Sequence, residues 1–169
     1  MKNRVEKSSK KRIIIPMKNY PKVSIGVGGL VVKGNSEVLL VTHAAKPHVW
    51  TIPSGFVQKG ENLQQTLERE VKEETNTRVT SKGVVCVRQR ITKNGSSNVW
   101  VVVMAEYRSG KVMPDKTEVL RAEFVKTSQA LKKRITPVTK YLLTSLKAGR
   151  LRPLQKQKSL THADYEVFA

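Results

Sequence analysis

Glu61, Glu68, Glu70, Glu73 and Glu74 crowd into one short stretch of a chain that has only 13 acidic residues against 32 basic ones. Leu63, Leu67 and Val71 recur every four residues through the same stretch, which predicts a helix from Asn62 to about Thr75. On that helix Glu70 and Glu74 fall within or beside the apolar arc, while Gln65, Glu68 and Lys72 take the solvent side. Two anions four residues apart repel each other, and the C-terminal end of a helix dipole disfavours them further. Carboxylates held at a core margin need a proton, a basic partner or a cation. Arg69 can serve one of them. Hard divalent cations take oxygen ligands, and Mg2+ is often held by one or two carboxylates together with substrate phosphates. Three readings therefore stand side by side: a metal site, a salt-bridge cluster with Arg or Lys, and a helix that merely faces solvent.

Other elements must hold this helix in place. Lys22 to Lys33 alternates small and β-branched residues, Gly34-Asn35-Ser36 is a turn, and Glu37 to Thr42 is a second apolar strand, so the pair reads as a hairpin. An irregular stretch containing Pro47 and Pro53 leads to the helix. Val84–Ile91 and Val99–Tyr107 form a second predicted hairpin around the turn-rich residues 93–97. A loop at Met113-Pro114-Asp115, a short strand near Glu123 to Lys126, a helix from about Ser128, and a helix capped by Thr136 with Pro137 first complete the pattern. Gly26, Gly28 and Gly29 lie inside a strand pattern rather than between a strand and a helix, so they mark close packing or room for a ligand, not a phosphate-cradling loop. The order of elements predicts one mixed α/β domain.

The spacing of the charged helix then matches a known pattern. The Nudix box runs Gly, five residues, Glu, seven residues, Arg-Glu, an aliphatic, any residue, Glu-Glu, any residue, Gly and an aliphatic. The chain reads Gly55, FVQKG, Glu61, NLQQTLE, Arg69-Glu70, Val71, Lys72, Glu73-Glu74, Thr75, Asn76, Thr77. The stretch therefore resembles the Nudix family, with Asn76 in place of the last Gly and Thr77 in place of the final aliphatic. Asn is the residue other than Gly that best accepts a left-handed conformation just past a helix, so the geometry is expected to survive. Trp50-Thr51-Ile52-Pro53-Ser54 also resembles the family's approach to the box, with Ser54 where Gly is commoner.

The resemblance implies an α/β/α sandwich with a mixed β-sheet between helices over residues 22–147, preceded by a basic arm (1–21) and followed by a basic tail (148–169). It implies a metal-dependent pyrophosphohydrolase that cleaves a phosphoanhydride in a nucleoside diphosphate linked to another moiety, with Mg2+ or Mn2+. The metal set it implies is Glu70, Glu73 and Glu74 with Gly55. Arg69 would orient a carboxylate, Glu61 would complete the polar shell, and Glu118 is the first candidate for general base, ahead of Glu123. Trp50 is a candidate for stacking on a base or for filling the core. Arg88 and Arg90, on one face of a strand, are candidates for gripping phosphates, although plain surface exposure would also account for them. His43 and His48 lack metal-ligand spacing and read as ordinary loop residues. Cys86, between valines, reads as a buried small hydrophobe.

Composition bounds the alternatives. No apolar run approaches the ~18 residues needed to cross a bilayer. Ile13 to Ile15 before Pro16 is too short for a signal-peptide core, and a single Cys cannot form an internal disulfide, which together point to a cytoplasmic setting. The formal net charge is +19, and most of it lies in residues 1–22 and 126–169. Such flanks read as solvated arms or as nonspecific contacts to RNA or another polyanion. No zinc-finger spacing or base-stacking pattern accompanies them. Beside the hydrolase stands an RNA-associated Nudix module, either a 5′-end RNA pyrophosphohydrolase or a weakly catalytic binder. A homodimer is left open.

Overall fold

Among the described residues, strands and helices sort by which face of a sheet their apolar residues cover, and they do so on two sides. The computed structural model describes residues 23–91, 93 and 95–154. The arm 1–21 and most of the C-terminal tail lie outside the described residues. In chain order the elements are β1 (Val23–Lys33), β2 (Glu37–His43), β3 (Trp50–Thr51), β4 (Ser54–Phe56), α1 (Leu63–Thr75), β5 (Arg78–Ile91), β6 (Ser97–Ser109), β7 (Val119–Lys126), α2 (Thr127–Ala130) and α3 (Pro137–Lys147).

The strands form one mixed sheet in the order β3-β2-β1-β6-β5, with β4 paired to β1 and β7 paired to β2. Strand β1 runs parallel to β6 from Val23 opposite Ser97 to Val32 opposite Glu106. Its other edge is shared, antiparallel to β4 at Gly26–Gly28 and to β2 at Val32–Lys33. Both predicted hairpins are present, and β5 and β6 are longer than the sequence pattern suggested. Two short strands, β3 and β4, occupy the stretch expected to be irregular. Strand β7 starts at Val119, and α2 is a single turn rather than a full helix.

The strand period of two divides the core between the faces. Val27, Val31, Leu39, Val101 and Val103 meet Leu67 and Val71 of α1. Leu30, Val38, Leu40, Ile52 and Val102 meet Leu142 and Leu143 of α3. Helix, sheet and helix thus form the expected α/β/α sandwich. Burial of Leu67 and Val71 stabilises the docking of α1 by about 1.5–3 kcal/mol each, which is what presses its carboxylates against the sheet edge.

The ends of α1 and α3 follow their sequence signals. Asn62 Oδ1 accepts the Gln65 N–H and Gln65 Oε1 accepts the Asn62 N–H, a reciprocal capping box. Asn76 closes α1 at φ 56°, the left-handed conformation expected of it, with its N–H donated to Lys72 O. Thr77 is fully buried, and its hydroxyl pairs with Thr75 Oγ1 at 2.7 Å, so the position expected to be a weak apolar anchor is satisfied by a hydrogen bond instead. Thr136 caps α3 through the Thr139 N–H, with Pro137 at its first turn. Among the described residues no helix is long and apolar enough to cross a membrane. The expected tail begins by packing: Leu151 lies against the α3-side core, and the Leu154 N–H donates to Val84 O.

Candidate active site

Helix α1 delivers its charged side chains to the point where β4 crosses the sheet edge, and Arg69 organises them. Its Nε donates to Glu61 Oε1 at 2.6 Å and a terminal nitrogen to Glu61 Oε2 at 2.9 Å, a two-point contact between planar groups. The other terminal nitrogen reaches Glu70 Oε1 at 2.7 Å and Glu73 Oε2 at 3.1 Å. The Phe56 carbonyl accepts a further bond at 3.0 Å, which ties the guanidinium to β4. These contacts raise the Arg69 pKa, and they hold the Glu61 carboxyl down at about 2.

Glu74 stands apart from that cluster. It is 2% exposed, and its Oε2 accepts the Ser54 N–H at 2.9 Å. Burial pushes its pKa up to about 8 against that hydrogen bond, and the nearby charges of Glu70, Asp115 and Glu118 add to the rise. His43 Nδ1 lies 3.8 Å from Glu74 Oε1. Burial lowers the His43 pKa against the nearby charges of Glu118 and Asp115, which favours the neutral imidazole. Glu70 is also raised, by desolvation first and despite Arg69. Glu73 is the exposed member, with 58% of its side chain open to solvent.

Gly55 is the backbone side of this cradle. A Cβ there would stand 1.9 Å from Glu70 Cδ and 2.0 Å from its Oε1, so only glycine lets the carboxylate lie against β4. Glu118 is exposed in the loop before β7. Asp115 Oδ1 shapes that loop by accepting the N–H groups of Thr117, Glu118 and Val119, and the Glu118 carbonyl accepts the Ala44 N–H. The Glu118 charge acts on Glu70, Glu74 and His43 together.

Among the described residues no three His, Cys, Asp or Glu side chains are already drawn together to hold an ion. The donor set fits a hard divalent cation nonetheless. The single guanidinium serves three carboxylates, Glu61, Glu70 and Glu73, and the fourth, Glu74, has only one N–H donor and an imidazole beside it. A buried carboxylate so placed ionises at neutral pH only with a cation at hand. The salt-bridge and metal readings of the sequence thus divide between residues: Arg69 serves Glu61, Glu70 and Glu73, and leaves Glu74 uncompensated.

A cavity of about 470 Å³ opens beside Glu74, lined by His43, Lys46, Ile52, Ser54, Arg88, Trp100 and the first turn of α3, among others. No acidic residue lines it. Trp100 was not singled out from the sequence, yet it explains two of the three clustered glycines, the third, Gly29, making room for Leu67 of α1. A Cβ at Gly26 would meet the Trp100 ring at 2.3 Å, and one at Gly28 would meet its indole nitrogen at 2.8 Å. These two glycines therefore make room for a tryptophan on the neighbouring strand, a pairing that no local pattern shows. Arg88 lies over the Trp100 ring at 5.7 Å and donates to Asn98 Oδ1 at 3.0 Å. Its Nε is buried with no acceptor among the described residues.

Other sequence candidates lie elsewhere. Arg90 is exposed and does not line the cavity. Trp50 packs against the α3-side core, with Lys133 Nζ 4.5 Å from its ring centre, which matches its core-filling alternative. Glu123 pairs with Lys133 at 2.7 Å. Cys86 is half-buried against the α3-side core rather than enclosed. His43, read as an ordinary loop residue, is in fact at the cavity and against Glu74, whereas His48 is exposed.

A family model described as the NUDIX domain matches residues 22–146. The chain is 32% identical over 113 residues to a Photobacterium profundum protein named NAD-capped RNA hydrolase NudC, a match covering 65% of this chain and 40% of that protein. It is 27% identical over 140 residues to a Mus musculus protein named nucleoside diphosphate-linked moiety X motif 6, covering 77% and 45%. The chain therefore spans less than half the length of these curated relatives. Among solved structures, a NUDIX hydrolase from Nitrosomonas europaea aligns with a TM-score of 0.66 and 21% identity over 85% of this chain and 99% of that one. A UDP-X diphosphatase aligns with a TM-score of 0.62 and 21% identity over 82% and 68%. These two likenesses speak for the fold.

Proposed function

Because the chain belongs to the Nudix hydrolase family, we propose that it hydrolyses a phosphoanhydride in a nucleoside diphosphate linked to another moiety, at the junction of α1, β4 and the cavity. The observation that carries this reading is Glu74, a buried carboxylate with a strongly raised pKa whose two polar neighbours, Ser54 and His43, line a cavity with cationic and neutral walls.

Glu70, Glu73 and Glu74 with Gly55 would hold Mg2+ or Mn2+. When bound, the cation supplies positive charge to the phosphoryl oxygens and makes a nearby water more acidic. Arg69 fixes the orientation of Glu70 and Glu73 and keeps Glu61 ionised at the start of the helix. Glu118 is the proposed general base: it is open to solvent, it is an ionisable group on a loop shaped by Asp115, and its charge reaches the same carboxylates. Arg88, whose Nε has no acceptor among the described residues, is the proposed grip on a substrate oxygen, and Trp100 beside it is the proposed platform for a planar group. Glu123 is held by Lys133 and does not enter this account.

A second reading, in which the moiety is the 5′ end of an RNA, draws support from the +19 charge and from relatives named as NAD-capped RNA hydrolases. A reducing, cytoplasmic setting is proposed with both, on the single cysteine. One chain supplies every group named, and sedimentation velocity reads whether two copies associate. The deciding experiment is a panel of phosphoanhydride substrates, including nucleotide sugars, dinucleoside polyphosphates and capped RNA, assayed with Mg2+, with Mn2+ and with chelator. Chelator-sensitive cleavage of one class supports the proposal, and no cleavage of any member under any condition refutes it.

A further inference from the structure

Charge is segregated between the two helical layers of the sandwich. The α1 layer carries the carboxylate cluster. From Phe124 to Leu154, which spans α2, α3 and the turns around them, the chain has no acidic residue and eight basic ones. In the sequence the C-terminal charge reads as a solvated arm or a polyanion contact; in the structure Lys126 ends β7, and seven more of the ten basic residues in 126–169 lie in α3 and the turns around α2 and α3. Among the described residues only Lys133 of these eight forms an ion pair, with Glu123.

The layer also shares a wall with the cavity. Thr136, Pro137, Val138 and Thr139 line it, and Thr136 is the N-cap of α3. Lys140 lies one turn further along nearly the same helix face as Thr136, and Lys147 lies two turns beyond Lys140 on that face, about 10 Å away. Lys132 and Arg134 are exposed in the turn that enters the helix, and the Arg134 carbonyl accepts the Trp50 N–H. Tyr141, 61% exposed, stands next to Lys140. Cations along a line suit a single nucleic-acid strand, whose phosphates need charge, and the exposed Tyr141 ring, about 100° round the helix from Lys140, is open for a base to stack on. A lone tyrosine provides little apolar surface for insertion into a lipid layer.

We propose that the α2–α3 layer is a docking surface for single-stranded RNA whose terminal nucleotide occupies the cavity. This rests on the hydrolase reading for the cavity end, but not for the surface itself. The strand runs from the mouth at Thr136 along Lys140 toward Lys147, with Lys132 and Arg134 flanking its first phosphates.

The test uses the whole chain, residues 1–169, and a short single-stranded RNA labelled at its 3′ end, with binding followed by fluorescence anisotropy over a salt series. Neutralising Lys132→Gln, Arg134→Gln and Lys140→Gln together removes about three phosphate contacts, and the log–log salt slope is expected to fall by about 2. Affinity at low salt is expected to fall at least about tenfold. These side chains are exposed, so the fold is retained. Hydrolysis of a small nucleotide substrate by the same variant is expected to match wild type, while KM for an RNA-linked substrate rises. An unchanged salt slope overturns the proposal. So does complete loss of salt-dependent binding in a Lys7→Gln, Lys10→Gln, Lys11→Gln variant of the same chain, which would assign the contact to the N-terminal arm. Tighter binding to phosphatidylserine-containing vesicles than to RNA overturns it in favour of a membrane surface. If no phosphoanhydride is cleaved at all, the hydrolase reading fails while the anisotropy still decides the surface.

Discussion

Replacing Glu74 with Gln is expected to make the cation-free protein more stable and the enzyme inactive, and the two effects share one cause. Burial raises the Glu74 pKa from the usual 4.5 to about 8. The folded state therefore keeps a proton that the unfolded chain releases above pH 4.5. Stability from this group is fully present below the unfolded value and is lost as pH rises toward 8, after which the loss is constant. At pH 7 the loss spans about 2.5 pH units at about 1.36 kcal/mol each, so it comes to about 3 kcal/mol. The glutamine amide has nothing to ionise, and its carbonyl oxygen can still accept the Ser54 N–H, so Glu74→Gln should recover that amount. For a chain of this size the gain corresponds to a melting temperature higher by about 6–12 °C. The assay is thermal unfolding of wild type and variant in chelator from pH 5 to pH 8. The gap should open as pH rises and nearly close at pH 5. Adding Mn2+ should stabilise wild type by mass action and the variant much less, while turnover of the variant falls by at least about 100-fold. A variant that melts at or below wild type at pH 7 in chelator, or a gap that does not change with pH, would show that the carboxylate is not desolvated as argued.

Three further outcomes follow from the same geometry. Glu70→Gln should lower kcat at least about 100-fold with little change in melting temperature, whereas Glu73→Gln, at an exposed position, should cost distinctly less; steady-state kinetics with Mg2+ compares them. Gly55→Ala should displace the Glu70 carboxylate, because the added Cβ would overlap it, and lower kcat/KM at least about tenfold, or about 1.4 kcal/mol, while far-ultraviolet circular dichroism stays native. Trp100→Ala should raise KM for substrates with a planar group by about tenfold and leave kcat within a few-fold; an equal loss in kcat would instead place Trp100 in support of the carboxylates.

Much of the site was legible in local pattern. The four-residue recurrence of Leu63, Leu67 and Val71 located α1, and helical geometry turned Glu70 and Glu74 inward, where the structure has them. Asn62, Asn76 and Thr136 act through groups within a few residues of themselves, so their capping roles could be read directly. His43 could not be read in this way. Its partner Glu74 is far along the chain, and the two meet only because β2 and α1 converge at Ser54. Trp100 likewise meets Gly26 and Gly28 of β1 across a parallel strand pair, for which sequence has no local signal. Both tryptophans pack against the α3-side core, but only Trp100 lines the cavity, whereas Trp50 lies under Lys133, and no local pattern separates them.

The order of charges and apolar residues along the chain determined the amphipathic helix, its caps, the two hairpins and the presence of a carboxylate cluster, because each depends on neighbours that a few backbone turns bring together. Tertiary packing decided which carboxylate goes uncompensated, which tryptophan faces the cavity, and whether the C-terminal cations dangle or form a wall. These depend on desolvation and on the distance between charges, and both are set only when separate elements close around the same space.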